Sequence, residues 1–171
     1  KDQYIAQFAD LDELSATING NTAMMLSDGE TLAIDFNKST GAITFTLGGT
    51  TYAPSGMELR LRRHQADGES GVSIAQADRP NNLYPGDLQL LSVKISDGTY
   101  RLYPIMHVYL EYYLKGVVPN EMGVSYPIEA LKAQAVAART FVLREMEVRG
   151  SYSYDVKDDA SSQVYKGQSA S

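Results

Sequence analysis

From Pro127 to Arg149 the chain reads PIEALKAQAVAARTFVLREMEVR, with no glycine and with proline only at the first position. No other stretch constrains the fold so strongly. Alanine, leucine, glutamate and lysine are strong helix formers. Pro127 suits a first helical turn, Glu129 complements the positive end of the helix dipole, and Gly150 stops the run. Positions 127 to 149 therefore predict one helix of about 34 Å, the width of a domain of this size. On a helical wheel Ile128, Leu131, Ala135, Val142 and Met146 form one apolar stripe, and Ala130, Ala137, Phe141 and Val148 form a second. Only Glu129, Thr140, Arg144 and Glu147 mark a wet side, so the expectation is a long helix buried in the middle of the domain.

Such a helix needs a support, and the preceding sequence is β-rich. Thr44, Thr46 and Thr51 alternate with Ile43, Phe45, Leu47 and Tyr52, the period of half-buried strands. Three pairs of strand-like runs flank turn signals, at residues 27–30, at Gly48-Gly49 and at Asp97-Gly98, and each predicts a hairpin. Residues 58–63 alternate charge with Leu59 and Leu61, as a strand with one wet face does. Ile5, Phe8, Leu11, Leu14 and Ile18 recur at helical spacing and predict an N-terminal helix. The expected fold is α+β. Residues 1–21 would form a helical segment, 22–105 a β-rich part of antiparallel hairpins, and 106–171 the region around the long helix. Within that last region residues 108–115 predict a short helix ended by Gly116.

Composition removes several function classes. The chain has 171 residues, enough for one domain with a real core. It lacks cysteine, which excludes disulfides, thiol catalysis and thiolate metal sites. Net charge is −6 with scattered cations, which argues against nucleic acid as a partner. No apolar run approaches the roughly 20 residues of a transmembrane segment. The chain begins at Lys1 without a signal-like segment, as a processed piece would.

Three side chains stand out. Lys132 and Arg139 fall inside the first apolar stripe, and buried cations need partners because desolvating one costs several kcal/mol. They fit either an internal salt bridge, to Asp155 or Asp158, or a pocket floor for an anionic or hydroxyl-rich ligand. Glu121 follows Pro119 in a predicted turn beside Val117, Val118 and Met122. A carboxyl desolvated there would suit a general acid, and an exposed loop glutamate is the plain alternative. Glycoside hydrolysis ordinarily uses two carboxylates, and no second one is placed nearby in sequence. His64 and His107 are isolated, and no Gly-x-Ser-x-Gly elbow is present.

Three blocks in register resemble one known family. Residues 108–122, VYLEYYLKGVVPNEM, and residues 127–140, PIEALKAQAVAART, are similar to the two long motifs of the stage II sporulation protein D and amidase-enhancer (LytB-like) domain. Tyr154-Asp155-Val156 and residues 162–167, SQVYKG, match its downstream block at the same spacing. The resemblance implies a peptidoglycan lytic transglycosylase of the cell envelope, outside the cytoplasm, acting on glycan strands in wall remodelling or sporulation. It implies Glu121 as the catalytic residue, acid first and base afterwards, and Lys132, Gln134, Arg139, Gln163 and Tyr165 as substrate-binding positions. The family's other name implies an alternative, a non-catalytic peptidoglycan-binding enhancer of a wall amidase. Some members hold zinc with Cys and His in the downstream block, where this chain has Lys157, Ser161 and Ser162, so no metal and no cofactor are expected. The family domain also usually continues past this block, so more of it is expected beyond Ser171.

Overall fold

Period-two patterning builds most of the N-terminal sequence into antiparallel sheets. The structure is a computed structural model that describes residues 4–8, 17–18, 21–27, 29–54, 56–63, 70–75, 77, 81–150 and 152–168, with side chains from residue 24 onward. The chain divides into two compact units, Lys1–Ser70 with Gly86–His107, and Gly71–Pro85 with Val108–Ser171.

The first unit holds a six-stranded sheet made by β1 (Tyr4–Phe8), β2 (Thr17–Ile18), β3 (Asn21–Leu26), β7 (Glu58–Arg63), β10 (Asp87–Lys94) and β11 (Tyr100–His107). Its strand order is β11-β10-β7-β1-β3-β2. A three-stranded sheet joins β4 (Ala33–Phe36), β5 (Ile43–Leu47) and β6 (Thr50–Tyr52). Register puts Leu61 opposite Leu88 and Leu59 opposite Leu90, and all four are buried. Ile43 and Phe45 of β5 are fully buried, each worth about 1.5–3 kcal/mol by burial. Arg63 anchors the start of β10 through Asp87, with both its backbone N–H and its Nε donating to Oδ1 at 3.0 Å.

Two hairpins form as the turn residues predict. Gly48 and Gly49 both take positive φ between β5 and β6, and Gly98 does so between β10 and β11. The third does not. Ser27 and Glu30 close a turn, but β3 pairs with β1 and β2 whereas β4 pairs with β5, so the two runs enter different sheets. The N-terminal helix is also corrected. Residues 4–8 are a strand lying between β3 and β7, and residues 17–18 pair with β3; residues 9–16 lie outside the described residues. Helical spacing of a few apolar residues was outweighed by non-local pairing partners, which a local period does not register.

The second unit contains β8 (Gly71–Val72), β9 (Tyr84–Pro85), α1 (Leu110–Glu121) and α2 (Ile128–Val148). The long helix forms within a residue of its predicted ends, but it is not buried. Only Ala138 and Val142 are buried, while Ile128, Val136, Leu143, Met146 and Val148 are exposed. Its main helix partner in this unit is α1, which covers one side of α2 and leaves these apolar residues open. Gly116 does not end α1 either, because the helix continues through Gly116 and Pro119 to Glu121. Proline within a helix costs roughly 3 kcal/mol and removes one backbone hydrogen bond, so the packing around this turn must offset it.

Candidate functional site

The last turn of α1 meets an extended segment, residues 163–167, that runs beside it. Burial alternates there: Gln163, Tyr165 and Gly167 are buried, and Val164 and Lys166 are half-exposed. Tyr165 stacks on Tyr113 of α1 with ring centroids 5.0 Å apart and meets Tyr84 edge-on at 5.9 Å. Gly116 makes this possible. A Cβ there would press into the Tyr165 ring and come within 2.8 Å of the Gly167 carbonyl oxygen. The glycine that looked like a helix cap is thus a point of close approach.

Gln163 joins both helices. The Tyr113 hydroxyl donates to its Oε1 at 3.1 Å, and its Nε2 donates to the Ala138 carbonyl of α2 at 3.3 Å. Burial, and then the nearby Glu121 and Asp158 carboxylates, push the Tyr113 phenol far above its ordinary range. Burial does the same to Tyr165, whose hydroxyl finds no partner among the described residues. The segment is held at its far end by paired backbone bonds between Leu83 and Gln168, at 2.9 and 2.7 Å.

Glu121 is the last residue of α1 and is exposed, so the desolvation expected from its apolar sequence neighbours is not what surrounds it. The Val164 backbone N–H donates to its Oε1 at 2.6 Å. A carboxylate at the C-terminal end of a helix faces the negative end of the dipole, and this short charge-assisted bond offsets that placement.

Of the two cations singled out on α2, Lys132 is exposed and Arg139 half-buried, and neither pairs with Asp155 or Asp158. Lys132, with 64% of its side chain exposed, donates to Glu129 one turn earlier at 2.8 Å. Arg139 forms a bidentate pair with Glu111 of α1, both bonds at 2.9 Å. The guanidinium holds the Glu111 carboxyl below its ordinary value, chiefly through these hydrogen bonds. Gln134 is half-buried on α2. The structure therefore brings Glu121 together with residues 163–165, while Lys132 and Arg139 are engaged by acidic neighbours of their own. Sequence reasoning missed Tyr113 and the Val164 N–H. A tyrosine between apolar positions of α1 was a usable signal for the first; the second is backbone and has none.

The model of the family described as stage II sporulation protein matches residues 99–171. Stage II sporulation protein D of Bacillus subtilis is 33% identical over 113 residues, covering 61% of this chain and 33% of that protein. The amidase enhancer of Bacillus subtilis is 48% identical over 56 residues, 33% of this chain and 7% of the enhancer. An uncharacterized protein of Brachyspira hyodysenteriae is 45% identical over 60 residues, 34% of this chain and 16% of that protein. The chain thus spans a third or less of the length of these relatives. No solved structure matches it significantly.

Proposed function

Residues 99–171 belong to the stage II sporulation protein family, and from that premise we propose that the chain cleaves peptidoglycan glycan strands as a lytic transglycosylase. The supporting observation is the setting of Glu121: an exposed carboxylate with Oε1 held by a backbone N–H, and Oε2 hydrogen-bonded to no described residue. One such group can serve both halves of the reaction. As the acid, Glu121 gives its proton to the glycosidic oxygen while the bond from the N-acetylmuramic acid C1 to that oxygen breaks. As the carboxylate, it then takes the proton of the muramyl 6-hydroxyl, whose oxygen bonds to C1 and closes the 1,6-anhydro ring. No water is consumed and the glutamate ends protonated as it began, which explains why one carboxylate suffices where hydrolysis uses two.

On this reading Lys132 and Arg139 form the glycan-binding face of α2, with Gln134 a further contact from a different side of the helix, and an incoming muramyl carboxylate competes with Glu129 and Glu111 for the two cations. Gln163 and Tyr165, both buried, support the site from beneath. The place of action is outside the cytoplasm at the cell envelope. Among the described residues no helix is long and apolar enough to cross a membrane. Digestion of purified glycan strands, followed by muropeptide separation, tests the proposal. Anhydro-muramyl products should form with the native chain and fall by about 10²–10⁴-fold with Glu121→Gln; products unchanged by that substitution would overturn it.

The 48% identity to an amidase enhancer favours a second reading, in which the domain binds peptidoglycan and stimulates a wall amidase. It predicts glycan binding and amidase stimulation that survive Glu121→Gln, with no new anhydro ends.

A further inference from the structure

We propose that the backbone N–H of Val164 is a positioning group for the Glu121 carboxylate, and that residues 163–167 are shaped to aim it. The inference rests on the reading of Glu121 as the acid and base. An exposed glutamate has several rotatable bonds and little packing to choose among rotamers, and at a helix C-terminus the dipole does not favour its charge. Something must hold it. The group that does so is the Val164 amide at 2.6 Å.

The donor is stiff because both of its neighbours are anchored. Gln163 bridges Tyr113 to Ala138, and Tyr165 is sandwiched against Tyr113 above the bare face of Gly116. Tyr113 lies on the same helix as Glu121, so the contacts close a ring: α1 fixes the segment through Tyr113, and the segment fixes the end of α1 through Glu121. Among the described residues only Oε1 is engaged. The bond thus selects one rotamer and leaves Oε2 as the oxygen that exchanges protons with the sugar. A misplacement of about 1 Å in such a group can cost about 100-fold in rate.

The test removes one hydrogen. Replacing Val164 by the corresponding α-hydroxy acid turns its amide into an ester, which deletes the N–H and keeps the side chain. Val164→Pro deletes it by a second route, and Val164→Ala retains it. We expect kcat on glycan strands to fall about 10- to 100-fold in the ester and proline variants with KM little changed, and to recover in Val164→Ala. A folded ester variant with native kcat overturns the proposal, as does a fall in kcat matched by an equal rise in KM, because the loss then extends to substrate binding and is not confined to the aim of Glu121. A second readout needs no activity. In the ¹⁵N spectrum of the native chain the Val164 amide proton should lie far downfield and move strongly upfield in Glu121→Ala, with the Tyr113 and Tyr165 signals unmoved. An unshifted Val164 amide overturns the proposal even if the ester variant fails to fold. If the native chain makes no anhydro products but the amide shift is as expected, the proposed activity fails and the hold of Val164 on Glu121 stands.

Discussion

Tyr113 and Tyr165 stack on each other, yet replacing each by phenylalanine should change stability in opposite directions. Both rings are buried, at 6% and 5% exposure. The Tyr165 hydroxyl has no partner among the described residues, and an unsatisfied buried polar group costs about 1–3 kcal/mol. Tyr165→Phe removes that cost, leaves a hole of one oxygen, and should gain about 1 kcal/mol. Tyr113→Phe deletes a donor at 3.1 Å and leaves Gln163 Oε1 without it, a loss of about 1–2 kcal/mol. The variants should therefore differ by about 2–3 kcal/mol, or about 4–12 °C in Tm for a chain of this length. Thermal unfolding followed by circular dichroism at neutral pH measures this directly. Shifts of the same sign, or a Tyr113→Phe variant more stable than Tyr165→Phe, would refute the assignment of the two hydroxyls. The same phenols give an alkaline signature. Their folded-state values are raised, so their contribution is intact below the ordinary tyrosine value of about 10 and is lost as pH rises above it.

Further expectations follow from neighbouring contacts. Gly116→Ala gains up to about 1 kcal/mol of helix propensity but drives a methyl toward Tyr165 and the Gly167 carbonyl, an overpacking cost of about 1–3 kcal/mol. A lowered Tm is expected, and a raised one would show that the ring does not cover Gly116. Glu111 should titrate below its ordinary value by carboxyl ¹³C NMR and return to it in Arg139→Ala. Because its folded-state value is depressed, the pair's contribution is present at neutral pH and is lost as pH falls through that value. Asp158 lies near Tyr113, and a second catalytic carboxylate there would point to hydrolysis. Single-carboxylate chemistry predicts that Asp158→Asn keeps activity within a few fold.

Local chemistry was legible in the sequence and non-local partnering was not. The ends of α2, strand β7 and the hairpins at Gly48-Gly49 and Asp97-Gly98 follow from propensity, period and turn residues. The first strand was misread because Ile5 and Phe8 fit a helical spacing as well as a strand, and only pairing with β3 and β7 decides. The burial of α2 was misjudged for a related reason. A helical wheel reports which residues are apolar but not how many neighbours cover them, and α1 covers a single seam. Gly116 shows the same limit at one residue: glycine signals a cap or a close approach, and Tyr165, 49 positions later, settles which. At the site the sequence motifs singled out Glu121, Lys132 and Arg139. The amide that holds Glu121 and the acids that hold the two cations became visible only in three dimensions.

The central claim is that Glu121 cleaves glycan without water, and isotopic labelling of the products tests it most directly. Glycan strands digested in H₂¹⁸O should give muramyl ends one water lighter than hydrolysis products, with no ¹⁸O at C1, and these should vanish with Glu121→Gln. Reducing muramyl ends carrying ¹⁸O, or anhydro ends that persist in the Glu121→Gln variant, would contradict it.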